Sequence, residues 1–568
     1  MSKKKPTAGE LVTVDLAQVR AVLERIKPEL SEPDHRLLCS ETDVLEMVTR
    51  ELRKRGATIA RLRSMLGQRS SEKTADVVGN AASEPAASST PQGDSAPGES
   101  NDSSAGDAPC PQSTSGETPQ RKRKGHGRIP ASSYDCEVTA VAHPTLCAGQ
   151  QCPGCAHGAL YDTHDPAPVV LIVGQPLLAA ERFEAQCLRC NSCGVQYTAP
   201  LPERARGPKY TESAAATITW AHYSLGLPFH RLEAAQHFVG VPVPAATLWE
   251  VVRDQLPHVM PVYQVLASLA ADAPVLHNDD TYVKILELMG KRRRELEAAG
   301  EFERPDRTGL FTTAVVAKTS AGPIVLFASG RSHAGENLAD LLDRRDPELP
   351  PPIQMCDGLD RNLPPGHTVV HANCMSHARR QFVDEIDNHP ALCTHLLEQV
   401  GKVFNNEHVC KLQGLTGGAR LEYHQRESGP VMAELKKWID ELVDSKLVEP
   451  NSDLGGALCY MTRRWDKLTL FLRVPDAPLD NNITERSLKA AIRLRRASLF
   501  YATTRGALVG DVFQALIYTT LLHGGNPLRY LTALFVHYKE VEAAPHDWLP
   551  WNYEATLSRI DECQTRAA

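Results

Sequence analysis

No stretch of this chain approaches the ~18–20 consecutive apolar residues that a membrane span requires. Its first residues, MSKKKPTAGELVTVDL, are basic but have no apolar segment behind them. These two absences argue against a membrane-spanning or secreted protein and lead to the expectation of a soluble, cytoplasmic one. A strong charge of one sign is missing too, since 568 residues carry a formal net charge of only −7. Lysine and arginine are absent from Thr74 to Gln120, where Asp76, Glu84, Asp94, Glu99, Asp102, Asp107 and Glu117 stand alone, so the rest of the chain is electrically balanced. The total therefore excludes nothing, and local basic runs at Arg121–Lys124, Lys291–Arg294 and Arg493–Arg496 remain available to phosphates. The same acidic stretch has almost no large apolar residue, which is the composition of a disordered linker.

Hydrophobic residues make up 42 % of the chain, enough for several cored domains. The expected division begins with helices over 1–73, then a linker over 74–124 that ends in Arg121, Lys122, Arg123 and Lys124. Leu45, Val48, Leu52, Ile59, Leu62 and Leu66 are spaced for either a short coiled coil or an ordinary helical hairpin. A zinc-binding domain is expected over 125–202. There Cys152-Pro-Gly-Cys155 and Cys190-Asn-Ser-Cys193 bring four soft thiolates to one structural Zn²⁺, in a reducing compartment where disulfides are not expected. Cys187 offers an alternative partner to Cys190. Over 203–270 the chain reads as helical. HRLEAAQHFVG, a VPVP link and AATLWEVVRDQL resemble a helix-turn-helix that ends its first helix at Gly240, or else a plain helical hairpin.

The acids carry the sharpest signal. VLHNDDTYVKIL reads as a strand with two aspartates in its middle, where burial is costly unless something compensates it. A charged loop over 287–309 follows, then strands GLFTTAVVAK and GPIVLFASG, a helix HAGENLADLLDRR, and strands PIQMCDG and HTVVHANC. Three strands, a helix and two more strands, with acids on the first and fourth, are what an RNase H-like α/β core requires. The core is expected over 271–378 and 467–510, interrupted by a helical insertion over 379–466 and followed by a helical tail over 511–568. In PDAPLDNNITERSLKAAIRLRR, Asn482 and Glu485 have the spacing of a helix-start capping pair. Lys489, Arg493 and Arg496 share the Glu485 face of that helix, ready for a DNA backbone. His371, Cys374 and His377 read as a strand-to-helix junction rather than as a second zinc site.

Taken in order, LRSMLGQRSSEK, RKRKGHGRIP, CPGC…CNSCG, LHNDDTYVKIL, QMCDG, HANCMSHARRQF and PLDNNITERSLKAAIRLRR give the chain its likeness. It resembles transposases of the insertion sequence 66 (IS66) family, a bacterial DDE group. The resemblance implies a catalytic triad of Asp279, Asp357 and Glu485 holding two Mg²⁺ (or Mn²⁺) ions, with Asp279 bridging them. It implies cleavage at the element's terminal inverted repeats and transfer of the freed 3′-OH to target DNA. The implied partners are DNA, further copies of the chain on that DNA, and small accessory proteins of the element. Asp279-Asp280-Thr281 stands where the family has Asp-Glu-Thr, so either aspartate could be the ligand. A transposase-derived protein that binds DNA but has lost catalysis is the alternative.

Overall fold

The structure, a computed structural model, describes residues 177–189, 196–300, 308–445 and 447–567, with isolated positions between 22 and 161. The coiled-coil residues, the acidic linker, Arg121, Lys122, Arg123, Lys124, and Cys152, Cys155, Cys190 and Cys193 lie outside the described residues. Residues 86–177 form a unit of their own. Its described part folds back on itself, with Gly149 N–H donating to the Leu160 carbonyl and Gln151 bridging Ala159.

The other unit begins with a short antiparallel pair, β1 (Cys187–Arg189) and β2 (Gln196–Thr198). Four helices follow: α1 (Glu212–Tyr223), α2 (Phe229–Phe238), α3 (Ala245–Asp254) and α4 (Leu256–Ala271). α2 and α3 are the expected helix pair, and Gly240 turns the chain between them at φ +79°. β3 (Val275–Tyr282) then opens the sheet. The charged stretch expected as a loop instead contains helix α5 (Gly290–Ala298). There Lys291 pairs with Glu295 and Arg293 with Glu297, one helical turn apart.

β4 (Phe311–Thr319) and β5 (Gly322–Gly330) complete an antiparallel meander with β3. Helix α6 (Ala334–Leu342) crosses to β6 (Ile353–Cys356) and β7 (Val370–Asn373), and β6 runs parallel to both β3 and β7. The strand order is β5-β4-β3-β6-β7, so the first and fourth strands of the sheet are neighbours, as their acids require.

Adjacent residues of a strand face opposite sides, and here both sides are covered. Leu276 joins a core made with α1, α3, α4 and α6 and with the later helices α12 to α14, whereas Val275 joins a second core. That second core holds Met355, Phe382, Leu396, Ile439 and Phe471. It is built by α7 (Met375–Asp384), α8 (Pro390–Leu412), α10 (Gly429–Asp444) and α11 (Asp453–Arg463), while α9 (Gly417–Glu427) packs against α8 and α10. The segment expected as a helical insertion is indeed helical, and its apolar faces continue the sheet's own core. α12 (Asn482–Ser498), α13 (Thr504–Leu522) and α14 (Pro527–Val536) join the first core, α12 against β3 and β4 and α13 against β5. No helix of the described residues is long and apolar enough to cross a membrane.

Candidate active site

The parallel register of β3 and β6 pairs Val275 with Ile353 and His277 with Met355. Continued by two residues, it sets Asp357 beside Asp279 at the end of β6. α12 runs along the same face of β3. At its start Asn481 Oδ1 accepts from His277 Nδ1–H at 3.2 Å, and its Nδ2 donates to the Asn278 carbonyl at 3.1 Å. At its far end Arg495 donates to Thr281 Oγ1 at 3.1 Å and to the Tyr282 carbonyl. Between these two anchors, in the first helical turn, lies Glu485.

The three acids expected from the sequence therefore gather at one site, and Asp279 registers the others. Burial pushes its carboxyl up to about 7, and the charges of Asp357, Asp280 and Glu485 push the same way. Only the Asp280 backbone N–H, 2.8 Å from Asp279 Oδ1, opposes them. Asp280 points to the other face and is already paired. His333 Nδ1 lies 3.1 Å from one of its oxygens and Arg361 Nη2 lies 3.4 Å from the other.

Asp357 is held from both ends. Asn362 Nδ2 donates to its Oδ1 at 2.5 Å, and Asn373 Nδ2 donates to its carbonyl at 3.1 Å. Beneath it, Gln354 donates to Asn278 Oδ1 and to the Asn362 carbonyl, and Asn278 donates to that same carbonyl. This buried chain of amides joins β3, β6 and the loop after β6, and sequence reasoning missed it. Its trace in the sequence is an amide shortly before each acid: Asn278 one residue before Asp279, Gln354 three before Asp357, Asn481 four before Glu485.

The expected Asn482–Glu485 capping pair does not form. The N-cap is Asn481 without a side-chain bond. The Asn482 N–H goes to Asp480 Oδ1, and the Asn482 amide goes to Ser376. Asn481 is drawn into the sheet by His277, which leaves the Glu485 carboxylate free. Its Oε1 is buried without a hydrogen-bond partner, with His377 Nδ1 3.7 Å away and Arg380 Nη2 4.0 Å from Oε2. Of the expected DNA-contacting cations, Lys489, Arg493 and Arg496 are all exposed on α12. Arg493 also bonds the Tyr518 hydroxyl.

A buried carboxylate cluster with an orphaned oxygen and no strong cation partner suits a hard divalent ion such as Mg²⁺, which prefers carboxylate oxygens. A second grouping, Cys374, His377 and Glu485, has its ligand atoms within 4.8 Å of one another. It fits a thiolate-loving metal poorly. Burial pushes the Cys374 thiol up to about 12, and its sulfur already accepts the Asn481 N–H at 3.2 Å. His371 is turned away toward Cys356 and Asn373, at the β7–α7 junction expected from the sequence.

Residues 208–508, more than half of the chain and inclusive of all three acids, match the family described as Transposase IS66 family. The chain belongs to the IS66 family of transposases. It is also similar to two proteins of Sinorhizobium fredii (strain NBRC 101917 / NGR234), y4jD and y4hP, both described as uncharacterized. The first is 25 % identical over 423 residues, which is 71 % of this chain and 78 % of the relative. The second is 22 % identical over 391 residues, 64 % of this chain and 66 % of the relative. Membership of this family implies the use of a divalent metal ion and DNA as the partner.

Proposed function

We propose that this protein is a DDE transposase with an RNase H-like catalytic core, which binds the terminal inverted repeats of an insertion sequence and carries out metal-dependent cleavage and strand transfer. The observation that carries this reading is the convergence of Asp279, Asp357 and Glu485 at one place, where burial first and then the neighbouring charges raise the Asp279 carboxyl to about 7. The strand order β5-β4-β3-β6-β7 supports the core assignment.

Asp279, Asp357 and Glu485 would hold two Mg²⁺ (or Mn²⁺) ions. Those ions supply Lewis-acid stabilisation of the attacking and leaving oxygens of a phosphodiester. The chain's own groups do the remaining work. The amide chain of Asn278, Gln354 and Asn362 fixes the Asp357 carboxylate, and the Asn481–His277 contact fixes the start of the helix that bears Glu485. Lys489, Arg493 and Arg496 line the exposed side of the same helix to take backbone phosphates. Water attacks the phosphorus at the element's end and releases a 3′-OH. That hydroxyl then attacks a target phosphodiester directly, so no bond between protein and DNA forms.

Around this centre, Cys152, Cys155, Cys190 and Cys193 would hold a structural Zn²⁺, with Arg121, Lys122, Arg123 and Lys124 and the α2–α3 pair contributing DNA contacts. The reaction would take place in the bacterial cytoplasm, on several copies of the chain bound to DNA, with small accessory proteins of the element as further partners. The test uses end-labelled duplexes carrying the element's terminal repeats, with Mg²⁺. Wild type should nick them to a 3′-OH, while Asp279→Asn and Glu485→Gln should bind equally well and cut on the order of 10³-fold more slowly. Binding by all three proteins without cutting by any would instead support the DNA-binding alternative.

A further inference from the structure

A cavity of about 500 Å³ opens beside the acidic cluster. Its walls come from α1, α2, α3, the end of β3 and the C-terminal end of α12, and they are largely aromatic. His222 stacks on Phe229 with ring centroids 3.9 Å apart, and Phe229 meets Trp249 edge-on at 6.2 Å. Tyr282 and Phe500 stand at the wall with their rings 44 % and 45 % exposed. Burial pulls His222 down to about 4, and its Nδ1 is engaged by the Leu227 carbonyl, so the stacked pair is neutral.

Two features separate this cavity from an ordinary packing fault. Leu499, at the end of α12, is held at φ +67°, a left-handed conformation that a branched residue adopts only under constraint. The constraint is visible just beyond it. The Tyr501 N–H donates to the Lys284 carbonyl, and Tyr501 bridges Ile285 in parallel, so Phe500 is pinned between a helix end and the extension of β3. In addition, Ser498 lines the cavity, and its Oγ is buried without a hydrogen-bond partner. The site thus offers flat aromatic faces and one unused polar group, as a heterocycle with polar edges requires.

Position identifies the heterocycle. Thr281 and Tyr282 line the cavity and lie two and three residues beyond Asp279 on β3, roughly 7–10 Å along the strand. The exposed Lys489 and Arg496, which have no ion-pair partner among the described residues, flank the route on α12. We propose that this cavity receives one unstacked nucleobase from the DNA strand whose phosphate lies at Asp279, Asp357 and Glu485. The base stacks on Phe500 and Tyr282 and meets Ser498 with its edge. Extruding a base removes the duplex from around the neighbouring phosphate, and aromatic stacking offsets the cost of unpairing it. The proposal rests on the reading of those acids as the DNA-cleaving centre.

The test measures binding and nicking separately. Full-length protein is titrated by fluorescence anisotropy, in Ca²⁺, against terminal-repeat duplexes carrying a single mismatch at successive positions around the scissile phosphate. A base that leaves the stack is cheaper to extrude when already unpaired. One mismatch position should therefore tighten wild-type binding by about tenfold, and that gain should vanish in Phe500→Ala. Tightening at no position, or equal tightening in Phe500→Ala, overturns the proposal. So does a change in the oligomeric state of Phe500→Ala without DNA while the mismatch response is intact, since the cavity would then seat a protein segment. Nicking in Mg²⁺ is followed in parallel. Loss of nicking by the wild type with the mismatch response retained overturns the cleaving-centre reading alone, and nicking without that response overturns base capture alone.

Discussion

Asp279 and Asp280 are adjacent in sequence but chemically separate, because neighbouring strand residues face opposite sides of a sheet. Asp280 is paired with His333 and Arg361, whereas Asp279 faces two further carboxylates. With its carboxyl raised to about 7, Asp279 is largely protonated at pH 6, and a divalent ion must displace that proton. Calorimetric titration of Mn²⁺ in buffers of different ionisation enthalpy should show about one proton released at pH 6 and almost none at pH 8. Equal release at both pH values would show that Asp279 is not a ligand. Asp511, buried on α13, is raised to about 7 by burial, although the Ser329 N–H and hydroxyl both donate to it at 2.7 Å. Its folded value lies above the ~4 of an unfolded aspartate, so its contribution to stability is full below pH ~4 and falls as pH rises through 7. Asp511→Asn removes that slope. The variant's melting temperature relative to wild type should rise between pH 5 and pH 8, and a constant difference would contradict the assignment.

At the scale of elements, the site depends on close approach between helix and loop. A Cβ on Gly335, in the first turn of α6, would lie 2.2 Å from the Leu363 carbonyl oxygen and 2.7 Å from that of Arg361. The loop it would push away carries Asn362, which fixes Asp357. Gly335→Ala should therefore cut nicking by roughly tenfold or more while end binding persists, read by single-turnover kinetics beside anisotropy. In the second core, burial alone would raise Glu407, but His424 and the Arg420 guanidinium override it and hold its carboxyl at about 2. Arg420 also donates to the Ala477 carbonyl and so ties α9 to the approach to α12. Arg420→Met leaves Glu407 buried beside a neutral side chain and should cost about 3–5 kcal/mol in denaturant unfolding.

The elements themselves were legible in the sequence, because period-2 and period-3.6 patterns are local signals that β3 to β7, α6 and α12 carry strongly. The acids were legible because carboxylates on apolar strands need a reason. The amide chain and the inward turn of Asn481 were not. The links that join β3 to β6, to the loop after β6 and to α12 connect residues 76 to 204 positions apart, and only the folded sheet brings them together. The helix Gly290–Ala298 was misread because its stability comes from charge pairs and not from an apolar stripe.

At the scale of the whole molecule, one sheet is enclosed by two apolar cores, and the family match spans all of the second core and the part of the first from α1 to the start of α13. The segment between the second and third acids forms one of these cores, so it cannot be removed as an appendage without exposing Val275, Ile353 and Met355. If Cys152, Cys155, Cys190 and Cys193 hold a structural ion, the purified chain should carry about one zinc per molecule by mass spectrometry of metals. Cys152→Ala or Cys193→Ala should lose that zinc, and retention of it by both variants would contradict the ligand set. The central claim, that Asp279 binds the catalytic metal, is tested most directly by exchanging its oxygens for sulfur. Mg²⁺ takes a thiolate poorly and Mn²⁺ accepts one better. Asp279→Cys should be inactive on terminal-repeat duplexes in Mg²⁺ and recover nicking in Mn²⁺. Full activity in Mg²⁺, or the same switch in Asp280→Cys instead, would contradict it.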